Sequence, residues 1–269
     1  MNDIILELND MRYLNWARTR KSSGTAGSFL KSYDDTGKRK KYYKLSDSDP
    51  VKGIIGHECI NEIVVQRLLD FFGIEHLEYT LIHAMVTVEG RDYKTYLCRS
   101  EDYKEAYESK IPLEDYFIMN RENGESPFDF CRRMGWEKYV YEMFLIDYLV
   151  LNRDRHGANI EVLRNSKIKA VRLAPLFDHG LSLVCRCHTE DELNDFDVME
   201  DRRVQAFVGT GSTLENVRSI PKSFLKELPD LTETDLDKIF EGLETIIGSA
   251  YIVKMKSMIW GRWGALGRI

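Results

Sequence analysis

The sequence predicts an α+β fold in two lobes, a small antiparallel β-sheet with one helix followed by a larger, mainly helical half. Three observations predict it. Alternating apolar and polar runs separated by turn residues fill residues 1–100, interrupted once by a helical stretch. Helical periodicity dominates residues 101–269, after the acidic, polar passage from Arg99 to Glu108. Finally, the residues best suited to chemistry sit in loops of the second half, the first of them straight after an apolar helix, where a cleft between lobes would open.

Asn9 to Lys21 is polar and basic and reads as an opening strand and loop. Lys21 to Lys31 reads as strand, glycine-containing turn and strand; Asp34-Asp35-Thr36-Gly37-Lys38 has turn chemistry; and Lys41-Tyr42-Tyr43-Lys44-Leu45 is an aromatic-rich strand. A polar loop, Ser46 to Lys52, comes next. Ile60, Ile63, Val64, Arg67, Leu68 and Phe71 recur at helical spacing, which predicts a helix from Gly56 to Phe72 stopped by Gly73. Tyr79–Val88 and Arg91–Arg99 form a hairpin around Glu89-Gly90. In the second half, Pro112–Met119, Pro127–Met134 and Trp136–Leu151 are helix candidates, and Ile160–Leu163 with Ala170–Ala174 is a hairpin turning at Arg164 to Lys167. Residues 186–220 read as irregular. Pro221 to Ile269 reads as terminal helices divided near Pro229, with Phe224, Leu225, Leu228, Ile239, Leu243 and Ile246 on their buried faces.

With 43% hydrophobic residues the chain can bury a substantial core. Its net charge of −6 disfavours direct nucleic-acid binding, which needs a basic face. No apolar run approaches the ~18 residues of a membrane span. The N-terminus carries acids where a secretory signal would carry positive charge. The odd, scattered cysteines suit reduced thiols and a cytoplasmic location. Cys185, Cys187 and His188 offer too few ligands for a structural zinc site.

The segment Asn152-Arg153-Asp154-Arg155-His156-Gly157-Ala158-Asn159, followed by Leu176-Phe177-Asp178-His179-Gly180, carries the functional signal. Phosphoryl transfer from ATP needs one carboxylate to receive the acceptor's proton, and an amide oxygen and a second carboxylate for Mg²⁺. Asp154 fits the first role, Asn159 and Asp178 the second. Each has a plain alternative: a solvated loop acid, an ordinary turn Asn, and an Asp capping the next segment. It is the set in this order that outweighs them. Lys44, on a strand face with Tyr42, is placed to reach phosphates, steadied by Glu62 with Glu58 in reserve; the alternative is an edge-strand Lys with its head in water. The turn with Gly24, Thr25 and Gly27 offers backbone N–H groups to phosphate or is a simple hairpin turn. His156 is read as structural, bonding the loop or the region near Asp178, and neither His156 nor His179 is assigned as a base.

Together these residues resemble the HipA-like kinases, bacterial toxin-type serine/threonine kinases with a protein-kinase-like core that is distantly similar to phosphatidylinositol 3/4-kinases. The family's Asn-x-Asp-Arg-His-x-x-Asn is met at Asn152–Asn159, its Ala-Pro-x-x-Asp at Ala174–Asp178, and its Asn-Glu before an apolar helix at Asn61-Glu62. The resemblance implies Asp154 as catalytic Asp, Asn159 and Asp178 as Mg²⁺ ligands and Lys44 as phosphate contact. It also implies a hinge from Tyr96 to Ser100, including Tyr96, Leu97 and Cys98, whose backbone meets adenine, autophosphorylation at Ser22 or Ser23, a protein substrate, and an antitoxin-type or regulatory protein partner. Because the chain starts almost at the glycine turn, the N-terminal subdomain of HipA proper is expected to be missing or much reduced. Two other readings stay open: a small-molecule or lipid kinase on this scaffold, and a nucleotide-binding pseudokinase with a regulatory role.

Overall fold

The structure, a computed structural model, describes residues 3–17, 29–49 and 53–267. Its first half is a five-stranded sheet in the order β1-β6-β7-β3-β2. The strands are β1 (Ile4–Asp10), β2 (Lys31–Asp34), β3 (Lys41–Leu45), β6 (Tyr79–Val88) and β7 (Arg91–Glu101). A minute hairpin of β4 (Ser48–Asp49) and β5 (Gly53–Ile54) interrupts the stretch read as a polar loop, and α1 (Glu58–Phe72) follows it. The sheet is antiparallel except at β1, which runs parallel to β6. The opening strand therefore lies earlier than Asn9 to Lys21.

Residues directly opposite one another share a face of a sheet. Lys44, Cys98 and Leu81 are opposite neighbours, as are Leu45, Leu97 and Ile82. The second set packs with Met11, Leu14, Leu30 and Tyr43 in a small core on one face. The first set lies on the α1 side, where Leu81 and Cys98 join the main core. Nearly every residue of α1 is buried, so the helix is enclosed by the sheet and by the C-terminal helices. It ends where predicted: Gly73 has φ 66°, a left-handed conformation that costs a glycine nothing. Arg67 of α1 holds Asp3 at 2.7 and 2.8 Å and donates to the carbonyls of Ile239 and Glu241, fixing the helix at both ends of the chain.

The second half contains β8 (Glu108–Pro112), α2 (Leu113–Asn120), α3 (Pro127–Arg133), α4 (Glu137–Leu149), β9 (Asp154–Arg155), β10 (Glu161–Asn165) and β11 (Val171–Leu173). Strand β10 lies between β8 and β11, with its turn one or two residues later than predicted. The stretch 186–220 is less irregular than expected. It holds α5 (Glu190–Asp195), β12 (Gln205–Ala206) and α6 (Thr213–Arg218), and Thr189 and Glu192 form a reciprocal capping box on α5. The chain closes with α7 (Lys222–Lys226), α8 (Glu233–Phe240) and α9 (Ser249–Leu266). Ile239 and Leu243 are buried, but Leu243 and Ile246 follow α8 rather than belong to it, and Phe224, Leu225, Leu228 and Ile246 are half-buried. All five cysteines are free and buried. Among the described residues no helix is long and apolar enough to cross a membrane.

Candidate active site

Helix α4 delivers a nearly continuous apolar face and then stops, and Leu151 turns the chain with φ 51°. The loop beyond it is held by two strand-like bonds to the segment after Asp178: Leu183 N–H to the Val150 carbonyl at 2.6 Å and Arg153 N–H to the Leu181 carbonyl at 3.0 Å. The two parts of the sequence motif therefore lie side by side.

Arg155 locks them together. Its guanidinium is fully buried and grips the Asp147 carboxylate through Nε at 3.0 Å and Nη2 at 2.9 Å. Its Nη1 donates to the carbonyls of Asn159 at 3.3 Å and Phe177 at 2.9 Å. Asp147 also accepts from Asn152 Nδ2, whose Oδ1 in turn accepts from the Asp154 N–H. Burial alone would lower the Arg155 pKa, but Asp147 more than reverses this and keeps the cation bound. The sequence reading passed over Arg155 and Asp147. An acid one helical turn before the end of an apolar helix, two turns from a loop arginine, was the available signal.

Asp154 is three-quarters buried, and its carboxylate lies 3.5 Å from His156 Nε2. His156 Nδ1 accepts from the Ala158 N–H, which gives it the loop-bonding role expected. Asn159 is buried, and its Nδ2 donates to the Asp154 carbonyl at 2.8 Å. That bond leaves its Oδ1 as the available acceptor.

Lys44 Nζ lies 3.0 Å from Glu62 and 2.6 Å from Asp178, joining β3, α1 and the Phe177-Asp178-His179-Gly180 turn. Glu62 meets Lys44, whereas Glu58 accepts from the Asp47 N–H. Glu62 is wholly buried and accepts two further bonds, from the His179 and Gly180 N–H groups. Gly180 passes so close that a Cβ there would sit 3.0 Å from Lys44 Nζ and 3.2 Å from Glu62 Oε1. Asn61 donates to the carbonyls of Gly180 and Ser182, and the buried Tyr79 hydroxyl meets the Asp178 N–H at 3.2 Å. Asp178 itself has φ 58°, a left-handed conformation Asp tolerates better than most residues.

The charges follow from this packing. Burial alone would lower the Lys44 pKa, but Asp178 and Glu62 raise it well above an ordinary lysine. Burial would raise Asp178, but the Lys44 ammonium holds its carboxyl far below the usual range. Glu62 is raised, by burial first and by Asp178. His179 is pushed well down by burial and by Arg155, so its ring is neutral. The centre thus holds the Lys44 ammonium against two carboxyl groups, with the charges of Lys31 and Arg155 also acting on Asp178. The oxygens left for a metal ion, Asn159 Oδ1 and the Asp178 carboxylate, are hard donors of the kind Mg²⁺ accepts.

One expected site is misplaced. Tyr96, Leu97 and Cys98 lie inside β7, between β6 and β3, with Leu97 and Cys98 paired on both sides. The backbone groups of Leu97 and Cys98 are committed to the sheet and have none to offer adenine, while Tyr96 pairs with His83 of β6. Glu101 still pairs with Lys41 and the Asp102 N–H donates to the Lys40 carbonyl at 2.9 Å, so backbone leaves the sheet only beyond that bond. The sites expected at Gly24, Thr25 and Gly27, and at Ser22 or Ser23, lie outside the described residues.

No protein-family profile and no curated protein sequence matches the chain. Among solved structures, the Helicobacter pylori proinflammatory kinase CtkA superposes with a TM-score of 0.61 at 15% identity, over 96% of this chain and 94% of that one. HipA of Shewanella oneidensis MR-1, solved with HipB and its operator DNA, is similar at a TM-score of 0.41 and 17% identity, over 94% of this chain and 59% of that one. The superposition on CtkA spans almost the whole of both chains, so the chain has a two-lobed, kinase-like α+β fold.

Proposed function

We propose that the chain is an ATP- and Mg²⁺-dependent kinase that moves the γ-phosphoryl group to a serine or threonine hydroxyl of a protein. The observation that carries this reading is the Lys44–Glu62–Asp178 cluster, drawn from a strand, a helix and a loop far apart in sequence and set beside the Asp154 loop by Arg155.

Lys44, held by Glu62, positions the α- and β-phosphates. Asp154 orients the acceptor hydroxyl and takes its proton. Asn159 and Asp178 would hold Mg²⁺, which when bound neutralises negative charge on the phosphates. The backbone beyond the last sheet bond, the Asp102 carbonyl and Tyr103, contacts adenine in place of Tyr96, Leu97 and Cys98. The turn with Gly24, Thr25 and Gly27 covers the phosphates, and the two lobes divide near residue 100. An antitoxin-type or regulatory protein partner remains the expectation of the family resemblance.

The test is transfer of radiolabel from ATP to protein, lipid and sugar acceptors by wild type and Asp154→Ala. Protein labelling should fall about 10³-fold in the variant, the range for a lost catalytic acid–base group. Equal transfer by both would remove the proposed role of Asp154. Label confined to lipid or sugar would instead establish the small-molecule alternative, and ATP binding without turnover the pseudokinase. Phosphopeptide mapping after incubation with ATP should find label at Ser22 or Ser23; its absence from both would remove that expectation.

A further inference from the structure

Tyr103 is the first residue beyond the last sheet bond of β7, and its side chain reaches both arms of the site. Its ring lies against that of Phe177, with centroids 6.1 Å apart and planes inclined by 30°. Its hydroxyl donates to the Glu161 carboxylate at the start of β10. Burial, and then Glu161, push the phenol pKa far up, so the hydroxyl keeps its proton and remains a donor. Phe177 immediately precedes Asp178, and only Ile160 separates Glu161 from Asn159. The ring is itself held in place. Lys110 of β8 sets its ammonium 3.8 Å from the Tyr103 centroid, and the Asp102 carboxylate holds that ammonium at 2.9 Å.

Core packing does not account for these contacts. Tyr103 and Phe177 are both half-buried, and neither ring packs into either hydrophobic core of the described residues. Nor is Tyr103 needed to join the two arms. Arg155 does that, donating from one nitrogen to the carbonyls of Asn159 and Phe177. Tyr103 adds a link of another kind, from both arms to the backbone where β7 leaves the sheet. That backbone is where the kinase reading puts the base, and Asn159 and Asp178 are where it puts the metal.

We propose that Tyr103 is a positioning residue that couples the base site to the metal site. This coupling rests on the kinase reading, which assigns both sites. A base bonded at the Asp102 carbonyl and Tyr103 restrains the backbone that carries the ring. The ring, seated on Phe177 and tied to Glu161, narrows the positions open to Asp178 and Asn159. By linkage the effect is reciprocal, so whatever fixes those two residues also favours the base. A phosphate chain without a base cannot draw on it.

Calorimetric titration with a non-hydrolysable ATP analogue and with inorganic tripolyphosphate, each with and without Mg²⁺, tests this on wild type, Tyr103→Leu and Tyr103→Phe. The readout is the gain in affinity that Mg²⁺ confers; comparing variants for one ligand cancels that ligand's own affinity for Mg²⁺. Tyr103→Leu should lower the gain for the nucleotide by at least about fivefold, the lower end of ordinary coupling between sites, and leave the gain for tripolyphosphate as in wild type. Tyr103→Phe keeps the ring and loses the bond to Glu161, and should lower the nucleotide gain by about twofold. A side chain that serves the fold alone would weaken both ligands alike. An equal fall for both ligands, or a nucleotide gain that Tyr103→Leu leaves intact, would overturn the coupling, and Tyr103→Phe decides if the leucine variant does not fold. Wild type that gains nothing from Mg²⁺ with either ligand would remove the kinase reading and the coupling with it; a wild-type gain that survives in the variants removes the coupling alone.

Discussion

Arg155 and Arg153 stand on either side of Asp154 and enter opposite surroundings. Arg155 is wholly buried, clasped by Asp147 and spent on the carbonyls of Asn159 and Phe177. Arg153 is buried at two of its nitrogens with no partner, among other cations. The contrast separates two fates of buried charge. A neutralised guanidinium fixes the geometry of a loop, while an unneutralised one is a cost carried by the fold. The cluster of Lys44, Glu62 and Asp178 lies between these cases, with its internal partners made and the Asp178 carboxylate also under the charge of Lys31.

The largest effect should come from breaking the balanced side. Arg155→Met leaves the Asp147 carboxylate buried and unpaired, and denaturant unfolding should show a loss of about 3–5 kcal/mol. Adding Asp147→Leu should recover much of that loss, because the second change removes the stranded charge; no recovery would mean that the carbonyl bonds of Arg155 matter more than its ion pair.

His57, the residue preceding α1, shows a third solution, a buried group kept neutral. Its Nε2 meets the Val184 carbonyl at 3.0 Å, and burial depresses its pKa to about 4. Between its ordinary value near 6.5 and 4, the unfolded chain binds the proton and the folded one does not. Its contribution is therefore complete above about pH 6.5 and falls as pH drops toward 4, by about 3 kcal/mol. His57→Gln should flatten that part of the stability–pH curve, and an unchanged slope would assign the acid sensitivity elsewhere. The smallest effect belongs to the unbalanced side. Arg153→Gln should unfold at the same denaturant concentration as wild type or gain about 1 kcal/mol, since it removes an uncompensated cation. A loss resembling that of Arg155→Met would erase the distinction between the two arginines.

Elements built from local periodicity were legible in the sequence. Helix α1, its glycine stop, strand β3 and the β6–β7 hairpin lie where their spacing placed them, the hairpin turning at Glu89 and Gly90 with φ 51° and 78°. Features set by distant partners were not. Strand β1 pairs in parallel with β6, far along the chain, so no turn announces it. Helices α5 and α6 are too short to show an apolar period, and only their caps, Thr189 with Glu192 and Ser212 with Glu215, marked them. The hinge was misplaced because pairing on both sides of β7 appears only once β3 and β6 are assembled around it. The pairing of Lys44 with Glu62 followed from the residue types and their order, whereas the cation expected to meet Asp178 was Mg²⁺ and the one the structure brings there is Lys44, a contact visible only once strand, helix and turn are assembled. Arg155 and Arg153 look alike in sequence; what distinguishes them is the company each keeps.

The most direct measurement is calorimetric titration of a non-hydrolysable ATP analogue with and without Mg²⁺, on wild type, Asn159→Ala and Asp178→Asn. A single centre in which these two residues hold a cation against the phosphates requires wild type to bind at least about tenfold more tightly with Mg²⁺, or about 1.4 kcal/mol, and Asp178→Asn to lose that gain. Affinity in wild type that is indifferent to Mg²⁺, or a gain that survives both substitutions, would contradict it.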